Sequence, residues 1–318
     1  MNSEFGESGA MMKIGFIVVW LAASAILPSA GPVTKANDKK SATPATTNAR
    51  PDPVLVGAGD IASCDDLSGA EATEKLIEKI PGTIFAVGDL AYPNGSDEDF
   101  ANCYAPTWGR FKDRTRPAPG NHEYNSSDAS GYVKYFGEAA GDPKKGYYSY
   151  DLGQWHILAL NSECLRVGGC GPASEQGKWL QQDLKDHPAG CTLAYFHKPL
   201  FSSGLAHGND PEMKSLWDVL YHAGADVVIN GHDHDYERFA PQDPEGEADA
   251  QHGIREFVVG SGGKNSHRFF AATRANSETR NADTYGVLKL TLHPTSYDWQ
   301  FVPQEGKTFT DSGSGKCH

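Results

Sequence analysis

Apolar positions along this chain fall into short runs and into helical spacings. Short apolar runs bounded by turn residues occur at Val54–Gly59, Thr83–Val87, Thr192–Phe196, Ala225–Asn230, Glu256–Gly260 and Val287–Leu292. Runs of that length and content predict buried strands. Tyr297–Val302 alternates Tyr, Trp and Phe with other residues and predicts one more. Tyr147–Asp151 and Trp155–Asn161, joined around Gly153-Gln154, predict a hairpin. Helical spacing appears over Glu71–Ile80 (Ala72, Leu76, Ile80), which Pro81-Gly82 stops, and over Glu175–His187 (Trp179, Leu180, Leu184). A third helix starts at Asp210-Pro211-Glu212, with Asp as N-cap and Pro at the first helical position. It runs through Leu216, Trp217 and Leu220 to Gly224. Strand–turn–helix units whose strands end in Gly-Asp favour an α/β fold with a parallel or mixed sheet. No long internal repeat and no second domain is visible.

The N-terminal residues read differently. Met1–Ala10 reads as a cloning scar, because a second start, Met11-Met12-Lys13, follows it. Ile14–Leu27 is an apolar run of 14 residues, followed by small residues at Ser29, Ala30 and Gly31. A charged start, an apolar stretch and a small-residue cleavage site predict a secretory signal peptide over residues 11–31. The run is shorter than the roughly 20 residues of a membrane span. Residues 32–50 lack periodicity and are rich in Lys, Ala, Thr, Asn and Ser, as in a flexible linker. Residues 51–318 then suffice for one large α/β domain, expected to be secreted or periplasmic, with no membrane span in the mature protein.

Net charge and cysteines narrow the partners. The formal charge of -13 argues against stable nucleic-acid binding, which rests on Lys and Arg. A small anionic substrate is still allowed, since a bound cation can outweigh the global field. The six cysteines, Cys64, Cys103, Cys164, Cys170, Cys191 and Cys317, suit disulfides in an exported protein. Cys164 with Cys170 reads as a local loop closure, and Cys64 with Cys103 is a second candidate pair. Nothing in the sequence sets the oligomeric state.

The polar residues at strand ends carry the chemistry. Gly59-Asp60 closes the first strand, and Gly88-Asp89-Leu90-Ala91-Tyr92 follows the next. Arg116–Pro119 leads into Gly120-Asn121-His122-Glu123, Thr192–Phe196 into His197, and Ala225–Asn230 into Gly231-His232-Asp233-His234. Five strand ends thus offer carboxylates, an amide oxygen, imidazoles and a phenol. Residues 232 and 234 lean the same way in extended backbone. The set is too large for one tetrahedral zinc and suits a pair of ions about 3.5–4 Å apart, bridged by a carboxylate. Asp89, central in the set, is the natural bridge. A phenolate favours a ferric ion, whereas Asn and His suit a divalent one. Trp108, Tyr124 and Tyr236 lie near these motifs, as packing or as part of the mouth. There is no G-x-S-x-G elbow, no P-loop and no Cys-phosphatase arrangement, so a covalent enzyme intermediate is not supported.

Gly-Asp60, Gly-Asp89-x-x-Tyr92, Gly-Asn121-His122-Glu123, His197 and Gly-His232-x-His234 resemble the motif blocks of the calcineurin-like metallophosphoesterases. Two residues after Asp60, where most of that superfamily has His, this chain has Ala62. Tyr92 stands in for it, the pattern of the purple acid phosphatases. The resemblance covers Val54 to His234 and implies a two-sheet mixed β sandwich flanked by helices, in four layers, of the small single-domain form. It implies two metal ions. Fe(III) would take Asp60, Asp89, Tyr92 and His234. A divalent ion (Fe, Zn or Mn) would take Asp89, Asn121, His197 and His232. It also implies a small phosphorylated substrate, with His122 orienting phosphate or protonating the leaving group, and His207 lining the pocket. Where plant-type members have two adjacent histidines, Ala206 replaces one here, so His122 and His207 both stay open as the acid. The activity implied is phosphate monoester hydrolysis by an activated hydroxide. A phosphodiesterase or nucleotidase on the same centre, or a binding protein that keeps the metals for structure, are the alternatives.

Overall fold

The computed structural model describes residues 51–318, and the chain there runs strand, helix, strand from the outset. In order come β1 (Val54–Ala58), β2 (Ala62–Ser63), α1 (Ser68–Lys79), β3 (Thr83–Val87), β4 (Ala91–Tyr92), α2 (Asp97–Asp99) and β5 (Thr115–Ala118). Then follow α3 (Ser130–Phe136), β6 (Tyr148–Leu152), β7 (Trp155–Ala159), α4 (Glu175–Asp186), β8 (Cys191–Tyr195), α5 (Lys214–His222) and β9 (Val227–Asn230). The chain ends with β10 (Tyr236–Phe239), β11 (Arg255–Val259), β12 (Ser277–Asn281), β13 (Gly286–His293), β14 (Ser296–Pro303) and β15 (Ser312–Lys316). The cloning scar, signal peptide and linker read over residues 1–50 lie outside the described residues.

Two mixed sheets result. One has the order β15-β14-β13-β1-β3-β5, the other β12-β10-β11-β9-β8-β7-β6. β1, β3 and β5 are parallel, and so are β7, β8, β9 and β11. The parallel strands of the second sheet, β7, β8, β9 and β11, are buried on both faces, which is why they read as largely apolar runs. Ile157, Leu193, Tyr195, Val227 and Ile229 face the first sheet. Their neighbours Leu158, Ala194, Phe196 and Val228 face Leu180 of α4 and Leu216, Trp217 and Leu220 of α5. Between the sheets, ring pairs such as Phe85–Tyr195, Trp155–Tyr297 and Tyr236–Phe301 fill the space, at 6.0, 5.7 and 4.5 Å between centres. Aromatic burial on this scale dominates a core. With α1 against β13, the molecule is the helix-flanked sandwich expected.

Side chains cap the start of α4 and the turn leading into α5, and the sequence predicts the second of these, at Asp210. Ser174 caps α4 by accepting from the Gly177 N–H at 3.0 Å. Asp210 accepts from the Glu212 N–H at 3.0 Å, opening a 3-10 turn (Pro211–Met213) that runs into α5. The face of α1 differs from the one its spacing predicts. Gly69, Ala70, Thr73 and Ile77 are buried, whereas Ala72, Leu76 and Ile80 are partly exposed. The cause is a glycine loop, since a Cβ on Gly69 would lie 2.2 Å from the Gly263 carbonyl. Thr73 also donates to the Gly262 carbonyl at 2.5 Å. Small residues, not Leu and Ile, fit there.

Both disulfides read from the sequence form, Cys164–Cys170 and Cys64–Cys103, and the third is Cys191–Cys317. The last ties the start of β8 to the residue after β15 across a separation of 126 residues. A loop that long is worth about 4–5 kcal/mol in a chain-entropy account. Among the described residues no helix is long and apolar enough to cross a membrane.

Candidate metal centre

Parallel strands deliver their following loops to one edge. The two parallel sets, one in each sheet, bring all nine candidate residues together there. Asp60, Asp89 and Asn121 follow β1, β3 and β5, and His197, His232 and His234 follow β8 and β9. Asp60, Asp89 and His232 have φ of 58°, 52° and 72°, the left-handed region that costs a non-glycine residue energy. Three such residues at one point mark a place where packing overrides backbone preference, as functional sites do. The glycines before the donors are there for space. A Cβ on Gly120 would lie 2.3 Å from Asp89 Oδ1, and one on Gly231 would lie 2.6 Å from Asp60 Oδ2.

The donors converge. The Tyr92 hydroxyl is 2.7 Å from Asp60 Oδ1, 3.2 Å from Asp89 Oδ2 and 3.1 Å from His234 Nε2. His197 Nε2 lies 3.2 Å from Asp89 Oδ2 and 3.1 Å from His232 Nδ1. His234 Nε2 lies 3.3 Å from Asp60 Oδ1. Outer contacts fix the rings. His197 Nδ1 faces the Val87 carbonyl at 3.0 Å and His234 Nδ1 the Asn265 carbonyl at 2.7 Å. Each ring thereby donates outward and turns its Nε2 to the centre, the usual arrangement of ligating histidines. Asn121 Oδ1 is buried and has no hydrogen-bond partner. An orphaned buried acceptor is costly unless a donor or a cation completes it, and here it stands among metal-ligating residue types. The residues present therefore fit metal ions.

The electrostatics agree. Burial, then the Asp60 and Asp89 carboxylates, push the Tyr92 phenol well above its ordinary value. Burial works against the Asp89 carboxylate, but His197 and His122 beside it hold its carboxyl well below the usual range. Burial also opposes the His197 imidazolium, yet Asp89 and Asp60 raise it to about 10. Burial and the neighbouring His197 and His207 keep His232 well below its usual value. Protons here stand in for positive charge that two carboxylates demand.

His122 and His207 flank this set. His122 Nδ1 faces the Pro93 carbonyl at 2.6 Å, its ring lies 4.4 Å from that of Tyr92, and its Nε2 is 3.8 Å from Asp89 Oδ2. His207 stacks on His232 with ring centres 3.8 Å apart. Of the three aromatics near the motifs, Trp108 and Tyr236 are buried packing residues, donating to Thr73 and Asp311. Tyr124 is partly buried and accepts from Asn161 at 2.7 Å.

Three residues not read from the sequence support the site. Glu123 is buried, and its two oxygens accept from the N–H groups of Asp89, Leu90 and Gly120 at 2.9, 2.8 and 2.7 Å. Burial and Asp89 push its carboxyl up to about 7 against those donors. Asp233 is buried between the two motif histidines and accepts from Ser202 Oγ at 2.5 Å and from the His207 and Gly208 N–H groups at 3.2 and 2.9 Å. His267 stacks on His234 at 3.7 Å between centres. Glu123 and Asp233 stood inside motifs already noted, which was the available signal. His267 lay in a loop with no motif.

Residues 54–236, more than half of the chain, match the calcineurin-like phosphoesterase family. The chain is similar to Purple acid phosphatase 15 of Arabidopsis thaliana, 29% identical over 221 residues, 57% of this chain and 41% of that protein. It is also similar to Probable purple acid phosphatase 20 of the same plant, 30% identical over 204 residues, 55% of this chain and 45% of that protein. The match thus spans less than half the length of these relatives. In fold it resembles the purple acid phosphatase PPD1 from yellow lupin (Lupinus luteus) seeds, with a TM-score of 0.66 and 19% identity over 82% of this chain and 53% of that one. The match encloses every candidate ligand from Asp60 to His234, so that the chain belongs to the calcineurin-like phosphoesterase family.

Proposed function

We propose that residues 51–318 form one catalytic domain that holds two metal ions and hydrolyses phosphate monoesters, outside the cytoplasm. The observation that carries this reading is the convergence of seven donors on one point, with the Asn121 amide oxygen buried and unpartnered. Asp60, Asp89, Tyr92 and His234 would hold a ferric ion, and Asp89, Asn121, His197 and His232 a divalent one. When bound, such a pair supplies charge for the phosphoryl oxygens and acidifies a water from a pKa of ~15.7 toward ~7, giving the nucleophile.

The chain's own groups do the rest. Asp60 Oδ2 accepts the His232 N–H at 2.8 Å and so joins the two sheets' loops. Asp89 Oδ1 accepts the His122 N–H at 2.8 Å and sets the position of that ring. With Nδ1–H given to the Pro93 carbonyl, His122 turns Nε2 toward the centre, where it can hold a proton for the departing ester oxygen. His207 stands beside His232 as the other acid candidate. Three disulfides among the described residues suit an oxidising compartment, secreted or periplasmic.

Asn121→Ala tests this. The variant should bind one ion fewer by metal analysis and lose nearly all turnover of an aryl phosphate. Full turnover with the second ion missing would overturn the mechanism. Comparing a mono- with a bis-aryl ester tests the monoester preference.

A further inference from the structure

Among the described residues three large apolar side chains are well exposed: Leu165 at 91%, Leu205 at 50% and Phe270 at 40%. Isolated exposed apolar residues need no explanation. Their placement is not scattered, however. β7, β8 and β11 belong to the parallel set with β9, so the loops after them emerge on the edge that carries His197, His232 and His234. Leu165 lies on the loop after β7, Leu205 after β8 and Phe270 after β11.

Leu205 and Phe270 are joined. The Leu205 N–H donates to the Arg268 carbonyl at 2.6 Å, and the Phe270 N–H donates to the Ser203 carbonyl at 2.9 Å. The Arg274 side chain donates to the Ser202 carbonyl at 3.2 Å and stands 5.8 Å from the Phe270 ring centre. The pair of loops is fastened to the centre from beneath. Asp233 holds the Ser202–Gly208 loop through three donors, and the His267 N–H donates to the His234 carbonyl at 3.0 Å. A Cβ on Gly208 would meet Phe270 Cε2 at 3.6 Å, so Phe270 lies over the residue next to His207. Two apolar side chains thus sit on a lip fixed by backbone bonds, and His207 and His267 of the same lip stack on the two motif histidines. A fixed lip loses little entropy on binding.

We propose that this lip binds the alcohol part of the phosphate ester and selects aromatic or aliphatic alcohols over polyhydroxy ones. The proposal rests on the phosphoesterase reading, which puts the phosphate at the metal centre. The ester oxygen then carries its alcohol outward, toward the rim. An apolar alcohol removes apolar surface from water there, whereas a polyol would lose hydration against Leu205 and Phe270 without hydrogen bonds in return. Leu205 lies inside the family-matched stretch and Phe270 beyond it.

The test uses the metal-loaded full chain with Leu205→Ser, Phe270→Ser and the double variant. Two measurements run together: kcat/KM for 1-naphthyl phosphate and glycerol 2-phosphate, and calorimetric binding of naphthylmethylphosphonate and methylphosphonate. Each single substitution should lower the naphthyl values about fivefold, and the double on the order of twentyfold, with glycerol phosphate and methylphosphonate unchanged. Equal losses on both members of a pair, or no loss on either, would overturn the lip. Turnover without a naphthyl preference overturns the lip and leaves the phosphoesterase reading intact. A naphthyl binding preference that the double variant abolishes, with no turnover of either ester, sinks the enzymatic reading and sustains the lip. Neither turnover nor preference removes both.

Discussion

Among the described residues, two clusters of histidine and carboxylate are in opposite states. In the first, away from the carboxyl ends of the parallel strands, buried His156 places Nδ1 at 2.9 Å from Asp151 and Nε2 at 2.8 Å from Asp183. Ser149 donates to the other Asp183 oxygen at 2.9 Å, and His187 stacks on His156 at 5.0 Å. Each ring nitrogen faces a carboxylate oxygen, and against the effect of burial those carboxylates raise the His156 pKa, favouring a ring that donates to both and closes the cluster. The second cluster is not closed in this way. One phenol proton on Tyr92 faces two carboxylate oxygens and an imidazole nitrogen. His197 and His232 point nitrogens at each other, and the Asn121 oxygen faces nothing. Residue types alone do not distinguish a metal centre from a salt bridge. What distinguishes them is whether the donors and protons already balance.

The largest test of that contrast removes the shared carboxylate from each cluster. Asp89→Asn should cost turnover on the order of 10³-fold or more and drop bound metal from two ions per chain to one or none. Asp183→Asn, which breaks the other cluster, should leave metal content and turnover at the wild-type level. Loss of metal in the Asp183 variant would erase the distinction. A smaller effect is expected at Tyr92. Burial and two carboxylates keep its phenol protonated until a cation supplies charge. Iron-loaded protein should therefore show a phenolate-to-iron absorption band in the visible range, and Tyr92→Phe should lose it while Asp60, Asp89 and His234 keep some iron. An iron-loaded wild type without the band would rule out tyrosinate at the first ion.

Much of the centre was legible because the ligands cluster just after apolar runs, directly or behind a glycine, and the order of runs sets the order of ligands. What surrounds it was not. Asp233 sits inside Gly231–His234, yet its partners Ser202, His207 and Gly208 come from 25 to 31 residues earlier, a contact that no local pattern announces. His267 comes 33 residues after His234, its stacking partner. The missed strands fail for a different reason. β10 carries buried Glu237 and Arg238, the latter bonded to Asp311, so it shows no apolar period. β15, Ser-Gly-Ser-Gly-Lys, has no apolar residue at all. Its glycines lie against the rings of Trp299 and Tyr297, where a Cβ would come within 2.3 Å, and those rings supply the packing the strand lacks. Partners remote in sequence can override a strand's own propensity in this way.

The smallest effect concerns the closed cluster and depends on pH. Burial opposes the His156 cation, but Asp183 and Asp151 raise its pKa above the usual 6.5. Burial likewise opposes the Asp183 carboxylate, yet the His156 and Ser149 hydrogen bonds lower its pKa. A raised histidine value stabilises the fold below the unfolded pKa, and that contribution fades as pH rises through the folded one. The lowered Asp183 value stabilises above the usual carboxylate range and fades in acid. The two overlap between roughly pH 4 and 6.5. Asp151 is mostly exposed, so solvent screens its share. His156→Gln should therefore lower unfolding free energy by about 1–2 kcal/mol at pH 5.5 and by less than about 0.5 kcal/mol at pH 9, read from denaturant midpoints. Bound metal and turnover at saturating substrate should not change. A loss that is the same at both pH values would mean that the ring is neutral, and that the first cluster is no more closed than the second.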